Sequence, residues 1–241
     1  MILALIVSLI MGAQDFLLIP KMDKYARKHV ENKEVAHQIK KIVKELAKKQ
    51  KDFNKEQGDN WKKLEGIKST DASEYPIILA EIKNTRMELL EDQKGARKEI
   101  VNLLTEEEWN TIYKSASKDF ENYKKGVKKK FKKLDKRYTK LEESIRKEIK
   151  KDSRQEDLLS ITARFKEELY NGIKGQYELY FNNPELWQYE ANAQTINETV
   201  SRANDFRMAY LVAFVESRIQ IVELTTDDER QKIIRRLNKL F

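Results

Sequence analysis

The chain has 241 residues, of which 37% are charged, with a formal net charge of +8 and a pI near 9.3. Seven Gly, three Pro and no Cys exclude disulfide frameworks, Cys-type zinc sites and thiol nucleophiles. Helix interiors reject Gly and Pro, so the composition predicts an all-α chain of long helices with narrow apolar stripes. The basic balance favours acidic partners: nucleic acid, anionic lipid or acidic proteins.

Residues 1–20 open with a nearly unbroken apolar run, Ile2 to Met11, followed by Gly12-Ala13. That pattern predicts a cleaved export signal ending after Ala13. The alternative is an uncleaved membrane anchor, since Ile2 to Ile19 is just long enough to span a bilayer. Lys21, Lys24, Arg27 and Lys28 follow at once and would then stay on the cytoplasmic side. A buried N-terminal helix is the third reading.

From Met22 to about Glu56, Val35, Ile39, Ile42, Val43, Leu46 and Phe53 recur at helical steps. Gly58 is expected to interrupt that helix, and Ser69 to Pro76 to form a loop. A second helix is expected over Ile77–Leu103, and a very long third one from Thr105 to about Lys151 with Gly126 as its weak point. A polar break near Asp152 precedes a fourth helix, Leu158–Phe181. Asn183 and Pro184 punctuate before a fifth that ends near Val222, and Thr226 opens a short last one. Period-two alternation bounded by hairpin turns is absent, so no strand is expected.

The two halves match at a fixed offset of 121 residues. Arg86, Met87, Leu90, Arg97, Ile100, Val101, Leu103, Thr105, Glu108 and Ile112 are repeated as Arg207, Met208, Leu211, Arg218, Ile221, Val222, Leu224, Thr226, Glu229 and Ile233. Random pairing would give on the order of two identities in such a window, so an internal duplication is expected. The predicted architecture is therefore long antiparallel helices in two related halves, residues 21–120 and 121–241.

The repeated Thr-x-x-Glu has the form of a capping box, in which Thr and Glu exchange bonds with each other's backbone N–H. Acidic first-turn residues also oppose the positive end of the helix dipole. Leu104, Thr105, Glu108, Thr226 and Glu229 are thus read as two helix corners, not as a carboxylate site, because consecutive helical residues point apart.

Leu104-Thr105-Glu106-Glu107-Glu108 resembles the Leu-Thr-x-x-Gln motif of the LTXXQ (Spy and CpxP type) periplasmic helical proteins, with Glu in place of Gln. At Thr225-Thr226-Asp227-Asp228-Glu229 both the Leu and the Gln are changed. The resemblance implies a cradle-shaped helical dimer with an ATP-independent chaperone or envelope-stress role.

Lys125, Lys128, Lys129, Lys132, Lys133, Lys136 and Arg137 crowd the third predicted helix around Phe131, Leu134 and Tyr138. They are the candidate binding surface. Lys outnumbers Arg there, which disfavours nucleic acid. The second half is rich in aromatics, from Tyr170 to Phe214, which are read as core or as a cradle for partly folded clients. His29 and His37, placed two turns apart on one predicted helix, do not share a metal, and no Gly-rich phosphate loop exists. No catalytic residue, metal or cofactor is expected. The function expected is a non-enzymatic, periplasmic, chaperone-like or stress-response protein that binds other proteins, unfolded clients among them. A homodimer and an anionic membrane surface are further partners. The alternative is a membrane-anchored or cytoplasmic coiled-coil scaffold with a basic helix touching lipid or nucleic acid.

Overall fold

A computed structural model describes residues 18, 19, 21–66, 73–149 and 152–240. Among them are eight α-helices and no strand: α1 (Met22–His29), α2 (Lys33–Gly66), α3 (Glu74–Leu103), α4 (Glu106–Ser115), α5 (Ser117–Glu148), α6 (Ser153–Phe181), α7 (Ala193–Leu224) and α8 (Asp227–Leu237). A 3-10 turn, Pro184–Trp187, lies between α6 and α7. The all-α expectation holds. The predicted signal or anchor lies outside the described residues apart from Leu18 and Ile19. No described helix is long and apolar enough to cross a membrane.

Three predicted boundaries move, each for a local reason. The first helix breaks at Val30, which is extended and buried, and α2 restarts under an Asn32 cap whose Oδ1 accepts from Glu34 N–H at 3.0 Å. His29 and His37 therefore lie on different helices; His29 Nε2 is 2.9 Å from Ser115 Oγ. Gly58 does not interrupt α2. Phe53, Trp61 and Leu64 are buried on both sides of it, and their packing outweighs the ~1 kcal/mol helical cost of a glycine. The long third helix divides at Ala116, which is fully buried in a turn between α4 and α5. Gly126 remains inside α5, where a Cβ would meet open space.

The frame is two antiparallel hairpins. In the first, Glu56 accepts from Thr85 Oγ1 at 2.8 Å and Lys63 pairs with Glu81 at 3.1 Å, which sets α2 against α3. In the second, Arg207 reaches Gln176 at 3.4 Å and Arg164 reaches Gln220 at 3.2 Å, which sets α6 against α7. Shifting the first set by the 121-residue offset reproduces the second register to within a few residues. The α6–α7 contact is the tighter, and two glycines permit it. A Cβ on Gly172 would come within 2.5 Å of Tyr210 Cδ1 and 2.9 Å of the Phe206 carbonyl, and one on Gly175 within 2.6 Å of the Phe206 ring.

α3 and α7 lie between these pairs and pack on each other, antiparallel. Lys94 Nζ meets Asn197 Oδ1 at 2.8 Å, and Tyr189 OH, just before α7, meets the Val101 carbonyl at 3.2 Å. Two apolar cores result. One gathers α1, the start of α2, the end of α3 and α4, with Trp187 and Val200. The other gathers the end of α2, the start of α3, α5, α6, the end of α7 and α8. Each core thus contains one of the two Thr-x-x-Glu corners.

Candidate functional site: two capped corners and a lysine face

The first corner is a complete capping box. Glu108 N–H donates to Thr105 Oγ1 at 3.2 Å, and Thr105 N–H donates to Glu108 Oε2 at 2.9 Å. At the second, Thr226 N–H donates to Glu229 Oε2 at 2.9 Å. That backbone bond, helped by Arg154 at 3.3 Å, holds the Glu229 carboxyl below its ordinary range. Leu104 is buried, and beneath it Trp109 and Ile112 are wholly enclosed; Ile233 takes the corresponding place in the second corner. No group of His, Cys, Asp or Glu suited to a metal ion occurs among the described residues. The acids of "TEEE" and "TDDE" serve the helix ends.

The predicted binding surface is divided by α5 itself. Phe120, Val127, Leu134 and Leu141, with Tyr138 and Ile145, form its buried seam at seven-residue steps. Lys125, Lys128, Lys129, Lys132, Lys133 and Lys136 are exposed on the other side, and Arg137 is half-buried beside the seam. None of these seven side chains makes an ion pair within the described residues, whereas Lys124 is bound to Glu121 at 2.9 Å. The rise of a helix spaces Lys125 and Lys136 about 16 Å apart, the reach of a short acidic segment. The aromatics of the second half divide: Tyr180, Trp187, Tyr210 and Phe214 are buried in the cores, whereas Tyr170, Tyr177, Phe181, Tyr189 and Phe206 are partly exposed.

A mostly apolar cavity of about 640 Å³ lies between α1, α2 and α5, lined by Met22, Val43, Leu46, Phe120, Val127 and Phe181, with Gln93 from α3 also on its wall. At its rim Asp119 accepts from Lys21 Nζ and Tyr25 OH, both at 2.7 Å. The Lys21 bond, then the Tyr25 bond, depress the Asp119 carboxyl. Lys21 itself holds a left-handed backbone, φ 58°, which costs a non-glycine residue about 1 kcal/mol.

Sequence reasoning passed over the buried arginines. Arg86, Arg97, Arg207 and Arg218 lie within the core-facing stripes of α3 and α7, and Arg97 stacks over the Trp109 ring at 4.9 Å. Burial brings the Arg97 guanidinium down to about 10. The signal was present: Ile82, Arg86, Leu89, Gln93, Arg97 and Ile100 follow one another at steps of three and four, the spacing of a buried face.

Comparison with known proteins gives no relative: no protein-family profile, no curated protein and no solved structure matches this chain.

Proposed function

We propose that this is a non-enzymatic, exported helical protein that binds other proteins in a chaperone-like or envelope-stress role, with the lysine face of α5 as its contact surface. The observation that carries the reading is the row of six exposed lysines with no ion pair among the described residues, on a helix whose apolar side is already committed to the core. Such a row raises the local potential and draws in acidic chains, with an affinity that falls as salt screens it. The resemblance of the two corners to the LTXXQ group, and the duplication that would have produced them, belong to the same proposal. The duplication is supported by the shared register of the hairpins and by helix ends at Leu103 and Leu224.

The test is ATP-independent suppression of aggregation, with acidic and basic clients at low and high salt. Replacing Lys125, Lys128, Lys129, Lys132, Lys133 and Lys136 together by Gln should weaken binding of acidic clients at least tenfold at low salt, with the helical fold intact. Equal activity of the substituted and native chains, or no preference for acidic clients, would overturn the reading. The second reading, a membrane-associated scaffold, is favoured by exposed Lys21, Lys24, Arg27 and Lys28 directly after the apolar N-terminal run. Mature protein beginning at Gln14 supports export; intact Met1 in the membrane fraction supports the scaffold.

A further inference from the structure

The apolar cleft between α1, α2 and α5 takes no part in the corners or in the lysine face. α2 packs on α1 and α3, and α5 packs on α6 and α8, which leaves a gap between these two long helices. The gap is the cavity of about 640 Å³, a size typical of sites that enclose a small organic ligand. Val43 and Leu46 line it from α2, Phe120 and Val127 from α5, and Phe181 from the end of α6. Val43, Leu46 and Phe181 are only half-buried beside it. Water in such a space finds few polar partners, so an apolar occupant that displaces it is favoured.

Gly126 is a second, independent observation. It lies inside α5 and lines the cleft, and a Cβ there would meet no heavy atom within 4 Å. No positive φ and no close contact calls for glycine at this position. Almost any other residue would strengthen the helix, and a larger one would fill the space; the position holds the residue that leaves it empty. Gly172 and Gly175 differ, since side chains of α7 press against both.

The charge of the walls selects the ligand. α2 carries ten Lys against six Asp and Glu, and α5 carries thirteen Lys and Arg against six. Along α5 the cleft runs from Asp119 to Lys130, about 16 Å by the rise of a helix. At one end the Asp119 carboxylate is engaged by Lys21 and Tyr25, both at 2.7 Å. At the other, Lys130 is on the lining, with exposed Lys129 and Lys133 close by on α5. An elongated apolar trough with cations at one mouth fits an apolar chain that ends in a negative head.

We propose that the cleft binds the acyl chain of a single-chain anionic amphiphile, with the tail against Phe120 and Val127 and the head at the Lys130 end. A free fatty acid and an anionic lysophospholipid share that chemistry. Occupancy of the cleft does not depend on client capture by the lysine face.

The experiment is binding of cis-parinaric acid, a fluorescent fatty acid, to the full chain below micellar concentrations. Dodecanoate, lysophosphatidylglycerol, dodecanol and dodecyltrimethylammonium then compete for the site. Saturable binding is expected, with one of the two anions competing about tenfold or more better than the neutral and cationic chains; the better anion identifies the source. Gly126→Leu should weaken binding roughly tenfold or more while Tm stays at or above the native value, because it fills the cleft and improves the helix. Should that variant not fold, Ala47→Phe fills the cleft from the α2 wall. Lys130→Gln should weaken dodecanoate about tenfold, the loss of one charged hydrogen bond, and leave dodecanol unchanged. No saturable binding, equal competition by charged and neutral chains, full binding by a folded filled variant, or an unaltered preference for anions in Lys130→Gln would overturn the proposal. Two further outcomes would also overturn it. A full chain that binds no probe, and in which Gly126→Leu speeds amide exchange before Leu18, would give the cleft to the chain's own apolar N-terminal run. A dimer that forms without ligand and is lost in Gly126→Leu would give it to a second copy.

Discussion

The two corners of the molecule lie 121 residues apart and end their helices by different chemistry. Both must satisfy the last carbonyls of a long helix, which lack partners within the helix and carry the negative end of its dipole. At the first corner the neutral Tyr189 hydroxyl serves the carbonyls of Leu104, at 2.8 Å, and Val101, and the Trp109 ring fills the space below with its Nε1–H on the Trp187 carbonyl at 2.9 Å. At the second, position 230 is Arg where position 109 is Trp. Arg230 reaches the carbonyls of Val222 at 3.3 Å and Thr225 at 3.2 Å. The first corner is an aromatic plug with a hydroxyl clamp; the second is a cationic clamp at a more open end. The lesson is that a capping box fixes where a helix starts and leaves open how the preceding helix is closed.

The contrast can be broken from the first corner outwards. Trp109→Ala should cost about 3–5 kcal/mol in chemical denaturation, through the cavity it leaves, while Arg230→Ala should cost about 1–2 kcal/mol because part of its side chain meets solvent. Equal losses would show that the two ends are energetically alike. Tyr189→Phe keeps the ring and removes the single O–H that the Leu104 and Val101 carbonyls share; about 1 kcal/mol should be lost, with near-native packing of Trp109 by fluorescence. The smallest expected effect is acid sensitivity at the second corner. Glu229 has a folded-state carboxyl lowered by the Thr226 N–H and by Arg154. Its contribution is therefore complete above the ordinary carboxylate range and is lost as pH falls through the depressed value. In a Tm-against-pH series, native chain and Glu229→Gln should differ near neutrality and converge in acid; curves that stay parallel would remove Glu229 from the account.

Much of this was legible along the chain. The Thr-x-x-Glu spacing located both helix starts, since a cap is made by residues three apart. Of the apolar residues picked out among the lysines of α5, Leu134 and Tyr138 are buried in its seam and Phe131 is only half-buried, while the lysines from Lys125 to Lys136 that flank them are largely exposed. What misled were single residues judged by propensity. Gly58 and Gly126 both suggested breaks, and both lie inside helices because neighbouring buried side chains hold them there. Ala116, which has the best helix propensity, sits at the division of α4 from α5, because the chain must turn there to carry Phe120 against Trp187, ring centroids 4.9 Å apart.

By itself the sequence determined the helical class, the two capped helix starts and the run of lysines on α5, because each rests on spacings within a few residues or on a count along the chain. Only the tertiary structure decided which face of α3 and α7 is enclosed. A stripe containing Arg86, Gln93, Arg97 and Arg207 reads as polar until two antiparallel hairpins close over it. Burial is a property of the neighbours that cover a residue, and no short-range pattern supplies those.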